Sequence, residues 1–346
     1  MVITDIINCK ENCKEMKKIS GHKVKWGILG VGDVCEVKSA PAMNKIPNSE
    51  IVAVMRRNGE KAADFAKRHG IPKWYDDADE LINDPEINAI YIATPPNAHT
   101  ELALKVAEAG KPAYIEKPMA RTFVECQKMV DVFSQKNLPL FVAYYRRALP
   151  NFLKVKELIE NGAIGDIRMV NIEMIKAAQP DVITMLEDNW RVNPEISGGG
   201  YFYDLASHQL DFLDFLFGPI QSVKGISTNQ LGIYSADDMT TSSFMFKNGI
   251  VGNGTWCFTA GKSIDKEITT IIGSKGHITY SSFENSFVNL FSDESGEQVF
   301  DFEMPQHIQQ PLITHIVDDL MGQGKSPSSG ESAARTNWVM DEMTKS

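Results

Sequence analysis

A doubly wound α/β domain followed by an α+β domain is the fold this sequence predicts, and three observations predict it. From Lys23 to about Pro150, short apolar runs alternate with helical stretches. After Pro150 the chain changes to successive runs with period-two alternation. The chain has 346 residues, 43% hydrophobic and 23% charged. That length exceeds the size at which a single core keeps growing, so two domains are expected.

Residues 1–22 form a polar, lysine-rich extension that reads as an arm or a loose terminus. The runs "VKWGIL", "EIVAVM", "INAIYIA" and "PAYIE" read as strands. Helical stretches such as "NGEKAADFAKRHG", "AHTELALKVAEAG" and "TFVECQKMVDVFSQK" follow them. Right-handed crossovers then give a parallel sheet covered on both faces, and "LPLFVAYYRR" supplies a further strand near Leu140 to Tyr144. A helix, "NFLKVKELIENG", opens the second part. The runs "IRMVNIEMI", "MTTSSFMF", "IVGNGTWCFT", "KEITTIIG", "HITYSS" and "SFVNLF" follow, with turn residues such as Asn248-Gly249 between them. They indicate a largely antiparallel sheet, and "LITHIVDDLMG" and "SAARTNWVMDEM" close the chain as helices. The expected divisions are an extension at 1–22, a nucleotide-binding domain at 23–147 and an α+β domain at 148–346.

The formal charge of −10 argues against a nucleic-acid partner, because gripping phosphate backbones needs a basic face. No run approaches the roughly 18–20 apolar residues of a membrane span, and the first residues lack the apolar core of a signal peptide. A cytoplasmic protein without a membrane partner is expected. Cys9, Cys13, Cys35, Cys126 and Cys257 are odd in number and scattered, which suits reduced thiols. Cys9 and Cys13 alone are too few for a zinc site, and no metal is expected.

The first chemical motif is "GILGVGDVC", where Gly30, Gly32, Asp33 and Val34 follow a strand and open a helix. Gly30 suits a tight turn, Gly32 lets the backbone approach a pyrophosphate, and the helix start offers N–H groups to the anion. Cys35 stands where glycine or alanine is usual. At the end of the second strand, a carboxylate would bind ribose hydroxyls and repel a 2′-phosphate. Here "VMRRN" places Met55 near that position, with Arg56 and Arg57 after it. Two guanidiniums match a phosphate dianion, so NADP(H) is favoured and NAD(H) is the alternative.

Ligands of such sheets lie beyond the carboxyl ends of the strands. "ATPPNAHTELA" therefore puts Thr94, Pro95, Asn97 and His99 at the mouth of the crevice. Asn97 reads more readily as a helix cap, and His99 equally as a surface histidine. "AYIEKPMA" brings Glu116 and Lys117 to the next strand end, where Pro118 keeps the lysine out of helical geometry. An X-Pro bond there is able to be cis. In "ISGGGYFYDLASHQLDFLDFLFG", glycines lead into a helix on which Asp204, His208 and Asp211 share a face. Either this is an ordinary polar stripe, or Asp204 orients His208 as a carboxylate does beside a general base.

Taken together, these motifs resemble the glucose-fructose oxidoreductase and inositol dehydrogenase family, Gfo/Idh/MocA. "YYRRALPNF", "IENGAIGDI" and "WRVNPEISGGG" add to the resemblance, which runs from Lys23 to the C-terminus. It implies a Rossmann domain and a C-terminal domain whose open, mostly antiparallel sheet makes a homodimer or homotetramer. It also implies an NAD(P)-dependent oxidoreductase acting on a sugar, polyol or related cyclic compound. By that resemblance, His208 takes the hydroxyl proton, Asp204 orients it, and Lys117 bonds the substrate oxygen. Glu116 supports the lysine, and Trp190-Arg191 contact cofactor or substrate. Two other readings fit the same fold. One is a glycosidase using NAD as a transient oxidant, which Arg56 and Arg57 argue against. The other is a non-catalytic dinucleotide and sugar sensor, against which Lys117, Asp204 and His208 weigh. Substrate choice is expected to rest on loops such as "KAAQPDVITMLEDNW".

Overall fold

A computed structural model describes residues 16–178 and 189–345 of the chain. The sequence's first half builds six parallel strands: β1 (Val24–Leu29), β2 (Ser49–Met55), β3 (Lys73–Tyr75), β4 (Ala89–Ile92), β5 (Ala113–Ile115) and β6 (Leu140–Val142). Their order is β3-β2-β1-β4-β5-β6, so the winding reverses between β1 and β4 and opens a crevice there. Every residue of β4, β5 and β6 is buried, as expected of strands with helices on both faces. β3, "KWY", is an edge strand that was not among the apolar runs, and its Trp74 stays 47% exposed.

The helices of this domain are α1 (Ala40–Lys45), α2 (Gly59–His69), α3 (Ala78–Asn83), α4 (His99–Glu108) and α5 (Phe123–Gln135). Asn58, Asp77 and Thr122 cap α2, α3 and α5 by accepting main-chain N–H groups.

The second half begins with α6 (Pro150–Glu160) and β7 (Ile167–Ala177), continues through α7 (Pro194–Ser197) and α8 (Gly200–Phe217), and then forms a run of strands. These are β8 (Ile220–Thr228), β9 (Met239–Phe246), β10 (Val251–Ala260), β11 (Lys266–Gly273), β12 (Gly276–Tyr280), β13 (Val288–Ser292) and β14 (Gly296–Phe300). The eight strands are ordered β14-β13-β12-β11-β7-β10-β9-β8. Pairing is antiparallel except between β7 and β10. β8 and β14 lie at the sheet edges, and their mostly polar sequences hid them from a hydrophobic reading. One face of the sheet is buried through Val170, Ile172, Met174, Phe244, Phe246, Trp256 and Ile271. Alternate positions on the edge and central strands, such as Ile226 and Val251, are exposed. No described helix is long and apolar enough to cross a membrane.

The chain closes with α9 (Gln310–Leu320) and α10 (Gly330–Thr344), and α10 packs on the first domain as well as on β8 of the second sheet. Ala333 and Ala334 of α10 pack into a core beneath the first sheet. Asn337 Nδ2 donates to Ala120 O at 2.8 Å, and Phe123 N to an Asp341 carboxylate oxygen at 2.8 Å. The division near residue 148 therefore separates the sheets, while the last helix serves both domains. One further core runs continuously from Trp26 and Tyr114 through Phe152 and Phe212 to Trp256.

The end of the extension, from residue 16, lies among the described residues. Lys17 N donates to Asn137 O at 2.9 Å, Ile19 N to Leu320 O at 3.0 Å, and Lys18 pairs with Asp319 at 2.7 Å. Residues 17–19 are pinned to both domains, while Cys9 and Cys13 lie outside the described residues.

A candidate active site where the domains meet

The crevice starts at the glycine turn. Gly30 has φ +91°, and a Cβ there would stand 2.9 Å from the Thr94 nitrogen, so any side chain would force the ends of β1 and β4 apart. A Cβ at Gly32 would meet nothing within 4 Å, which leaves the backbone open on that side. Asp33 is exposed and Val34 half-buried at the start of a π turn, Cys35–Ser39, whose N-terminus no side chain caps. Cys35 is fully buried, and burial pushes its thiol up to about 12. It therefore packs as a small protonated residue. A buried Thr94 Oγ1 at the neighbouring strand end has no partner among the described residues. An open glycine and an orphaned hydroxyl fit a dinucleotide lying across this switch point.

Arg56 and Arg57 are exposed at the end of β2, and Arg56 Nη1 reaches back to Val31 O at 3.2 Å. Pro95 is half-buried beyond Thr94. Asn97 is exposed in the short turn Pro96–Ala98, and the N-cap of α4 is Ala98 with no side-chain bond. Asn97 is thus not the expected cap. His99 is not a surface residue either, nor does it line the mouth, since it is fully buried. Its ring lies between Thr94 O at 2.7 Å and Met119 O at 3.1 Å, bracing the ends of β4 and β5 together. Burial lowers its pKa despite those two carbonyls.

Glu116 is 7% exposed and anchored. Its carboxylate accepts from Tyr91 Oη, from Gln309 Nε2 at 2.7 Å and from the Lys117 main chain at 3.3 Å. Burial, reinforced by the Glu116 charge, pushes the Tyr91 and Tyr114 phenols well up, so both remain donors. Tyr114 Oη donates to Gln309 Oε1 at 3.0 Å, so Gln309 clamps this strand end to the chain just before α9. The Lys117-Pro118 bond is cis.

From this support Lys117 Nζ reaches across the crevice and donates to the carboxylate and, at 2.9 Å, to the main-chain oxygen of Asp204. Asp204 rides the second turn of α8, which a glycine brings close to the first domain. Gly198 has φ +95°, and a Cβ there would lie 2.7 Å from Arg121 O. Trp190 and Arg191 form a short turn in which the guanidinium lies 4.7 Å over the indole. Arg191 Nε stands 3.3 Å from the second carboxylate oxygen of Asp204. Burial alone would raise the Asp204 carboxyl, but the Lys117 and Arg191 charges hold it below its ordinary range.

One expectation fails here. Asp204 does not orient His208, because two cations outcompete a neutral imidazole for its carboxylate. Nδ1 of His208 is buried without a partner among the described residues. The ring is walled by Tyr144, Tyr145 and Phe283 at centroid distances of 5.9, 5.1 and 5.9 Å. Burial, then the charges of Arg146, Lys117 and Lys38, push its pKa well down, so it is a neutral proton acceptor. Asp211 leaves the group too. It binds Arg147 through two bonds of 2.7 Å in a buried network with Asp214.

Sequence reading missed Tyr145, Arg146, Phe283 and Lys38. The strand-end rule applied to β6 would have found the first two, since "YYRR" begins just beyond Val142. Phe283 lies in a turn between β12 and β13 and carried no local signal. Residues 179–188 of the "KAAQPDVITMLEDNW" loop fall outside the described residues.

Residues 24–144 match the oxidoreductase family with an NAD-binding Rossmann fold, and residues 152–279 match the GFO/IDH/MocA C-terminal domain. Oxidoreductase P35 of Formosa agariphila is 40% identical over 319 residues, covering 92% of this chain and 98% of that protein. Myo-inositol 2-dehydrogenase of Thermotoga maritima is 27% identical over 277 residues, 79% of each chain. The structure of a levoglucosan dehydrogenase in complex with NADH is similar, with a TM-score of 0.82 and 25% identity, over 93% of this chain and 96% of that one.

Proposed function

Because the chain belongs to the Gfo/Idh/MocA family of oxidoreductases, with an NAD-binding Rossmann domain, we propose that it is an NADP(H)-preferring enzyme. Its substrate is a sugar, polyol or related cyclic compound, oxidised or reduced at a CH–OH carbon. The observation that carries the reading is the meeting of Lys117, from the end of β5, with Asp204, one helical turn before the neutral His208. Similarity to myo-inositol 2-dehydrogenase and to levoglucosan dehydrogenase supports the substrate class.

The turn at Gly30 and the main-chain N–H groups of Gly32, Asp33 and Val34 would hold the diphosphate, Arg56 and Arg57 the ribose phosphate, and Thr94, Pro95 and Asn97 the inner edge. Bound there, the nicotinamide supplies or accepts the hydride. Lys117 donates to the reacting oxygen in place of an Asp204 bond. His208 takes the hydroxyl proton on oxidation and returns it on reduction. Asp204, held between Lys117 and Arg191, positions the lysine rather than the histidine, while Glu116 fixes the strand end behind it. Trp190 flanks this group through its stacked Arg191.

The test titrates NADPH and NADH in parallel and then screens sugars and polyols by the absorbance of reduced nicotinamide. Tighter NADPH binding and turnover of at least one class are expected. Equal or tighter NADH binding defeats the arginine argument, and binding without turnover across the panel favours a sensor. We also propose a homodimer or homotetramer through the open face of the eight-stranded sheet, where Ile226 and Val251 are exposed. A monomeric mass by light scattering at micromolar concentration would refute it.

A further inference from the structure

Four cationic side chains converge on Asp204 and His208. Lys117 and Arg191 bond Asp204 directly. Arg146 lies 5.1 Å over the Tyr145 ring and 4.3 Å over the Phe283 ring, both of which wall His208. Lys38, exposed on the π turn of the first domain, acts through space on Asp204, His208 and Tyr145 alike. Among the described residues, the carboxylates acting on the same groups are Asp204 itself and Glu116, and Glu116 is already committed to Tyr91 and Gln309.

Two donors here lack acceptors among the described residues. Arg146 is 4% exposed, and its Nε and Nη2 grip Ser282 O at 2.9 and 2.6 Å, yet its Nη1 is buried and unpaired. Arg191 Nη1 is buried and unpaired as well. A guanidinium N–H seldom stays buried without an acceptor, because it has given up water for nothing. The same cations act on Tyr145. Burial by itself raises a phenol, but Arg146, Lys38 and Lys117 outweigh it and bring this one below its ordinary range. Among the described residues, the cations around these groups outnumber the carboxylates. A neutral sugar would supply acceptors and leave that charge uncompensated, whereas an anion would supply both.

We infer that the substrate carries an anionic group, a carboxylate or a phosphate, which lies against Arg146 and Arg191 with Lys38 at the rim. The inference rests on the proposed oxidoreductase reading and narrows it from sugars and polyols in general to their acidic derivatives.

The experiment assays the full chain with matched sets, each a neutral aldose or polyol, its uronate or aldonate, and its phosphate ester, all at saturating cofactor. In at least one set a charged member should exceed the neutral one by about tenfold or more in kcat/KM, and the gap should narrow as salt rises from 0.05 to about 0.5 M. Which charged member leads identifies carboxylate or phosphate. Lys38→Gln, at an exposed site, should shrink the gap by about threefold or more without changing the NADPH Kd. Neutral members equal to or better than their charged partners in every set overturn the inference and leave the oxidoreductase reading standing. A Lys38→Gln variant that loses NADPH affinity while keeping the gap overturns it too, since Lys38 would then serve the cofactor. If no member turns over, the oxidoreductase reading fails. Thermal shifts of the NADPH complex with the same compounds then decide the inference, with preferential stabilisation by the charged members expected and equal stabilisation refuting it.

Discussion

Lys117 and Asp204 join the two domains across the crevice, the lysine ammonium donating to both the carboxylate and, at 2.9 Å, the main-chain oxygen of the aspartate. The two residues are 87 positions apart, and their side chains are each 15% exposed. The second domain thus holds the lysine as firmly as its own strand end does.

Lys117→Met should therefore lower kcat by about 10²- to 10⁴-fold, the range of a lost proton-transfer or polarising group. The methionine keeps much of the stem and Arg191 still pairs with Asp204, so the protein should remain folded at the assay temperature, with a lowered melting temperature. Steady-state kinetics beside a thermal melt check this, and an unchanged kcat removes Lys117 from the mechanism.

His208 and His99 are both buried neutral, with pKa values below the ordinary histidine range. Between those lowered values and about 6.5, the unfolded chain binds more protons than the folded one, so stability should fall as pH is lowered through that window. His208→Gln should flatten part of the fall. Urea midpoints at several pH values measure it, and an identical slope in the variant contradicts a neutral buried His208. The acid limb of kcat/KM should likewise lie below pH 6.5 in wild type.

Arg56 and Arg57 stand exposed at the end of β2. Replacing both by alanine should weaken NADPH binding about tenfold or more and leave NADH within about twofold, because only the former carries the 2′-phosphate. Fluorescence titration of each cofactor decides it. Parallel losses for both would mean that the arginines act on something common to the two.

Asp211 pairs with Arg147 at side-chain exposures of 1% and 4%. Asp211→Ala leaves a guanidinium buried with only part of its partners, and should cost about 3–5 kcal/mol of stability. KM of the folded fraction should not change. Denaturant unfolding and kinetics below the melting range separate the two effects, and a raised KM at intact stability would return Asp211 to the site.

Which parts were legible follows from where the information lies. The glycine turn, the "EKP" strand end and the "YDLASHQLD" helix are local patterns whose chemistry depends on neighbours within a few residues. β3, β8 and β14 were harder to see, because edge strands bury little and so carry little apolar alternation. Asp204 and His208 share a helix face, but a shared face only permits contact. Which partner a carboxylate takes depends on what else arrives, and Lys117 and Arg191 arrive from distant parts of the chain. His99 shows the same limit, since nothing near it in sequence says that Met119 O will close over its ring.

The sequence by itself determined the two sheets and the glycine turn at the point where the winding of the first sheet reverses, because helix and strand periodicity and glycine turns are written in short windows. Tertiary structure alone decided the pairing: Asp204 to Lys117 and Arg191, His208 to an aromatic wall, Asp211 to Arg147, and α10 to both domains. Those choices are competitions among buried charges and dipoles brought together by folding. They are settled by distance and desolvation, neither of which a one-dimensional pattern contains.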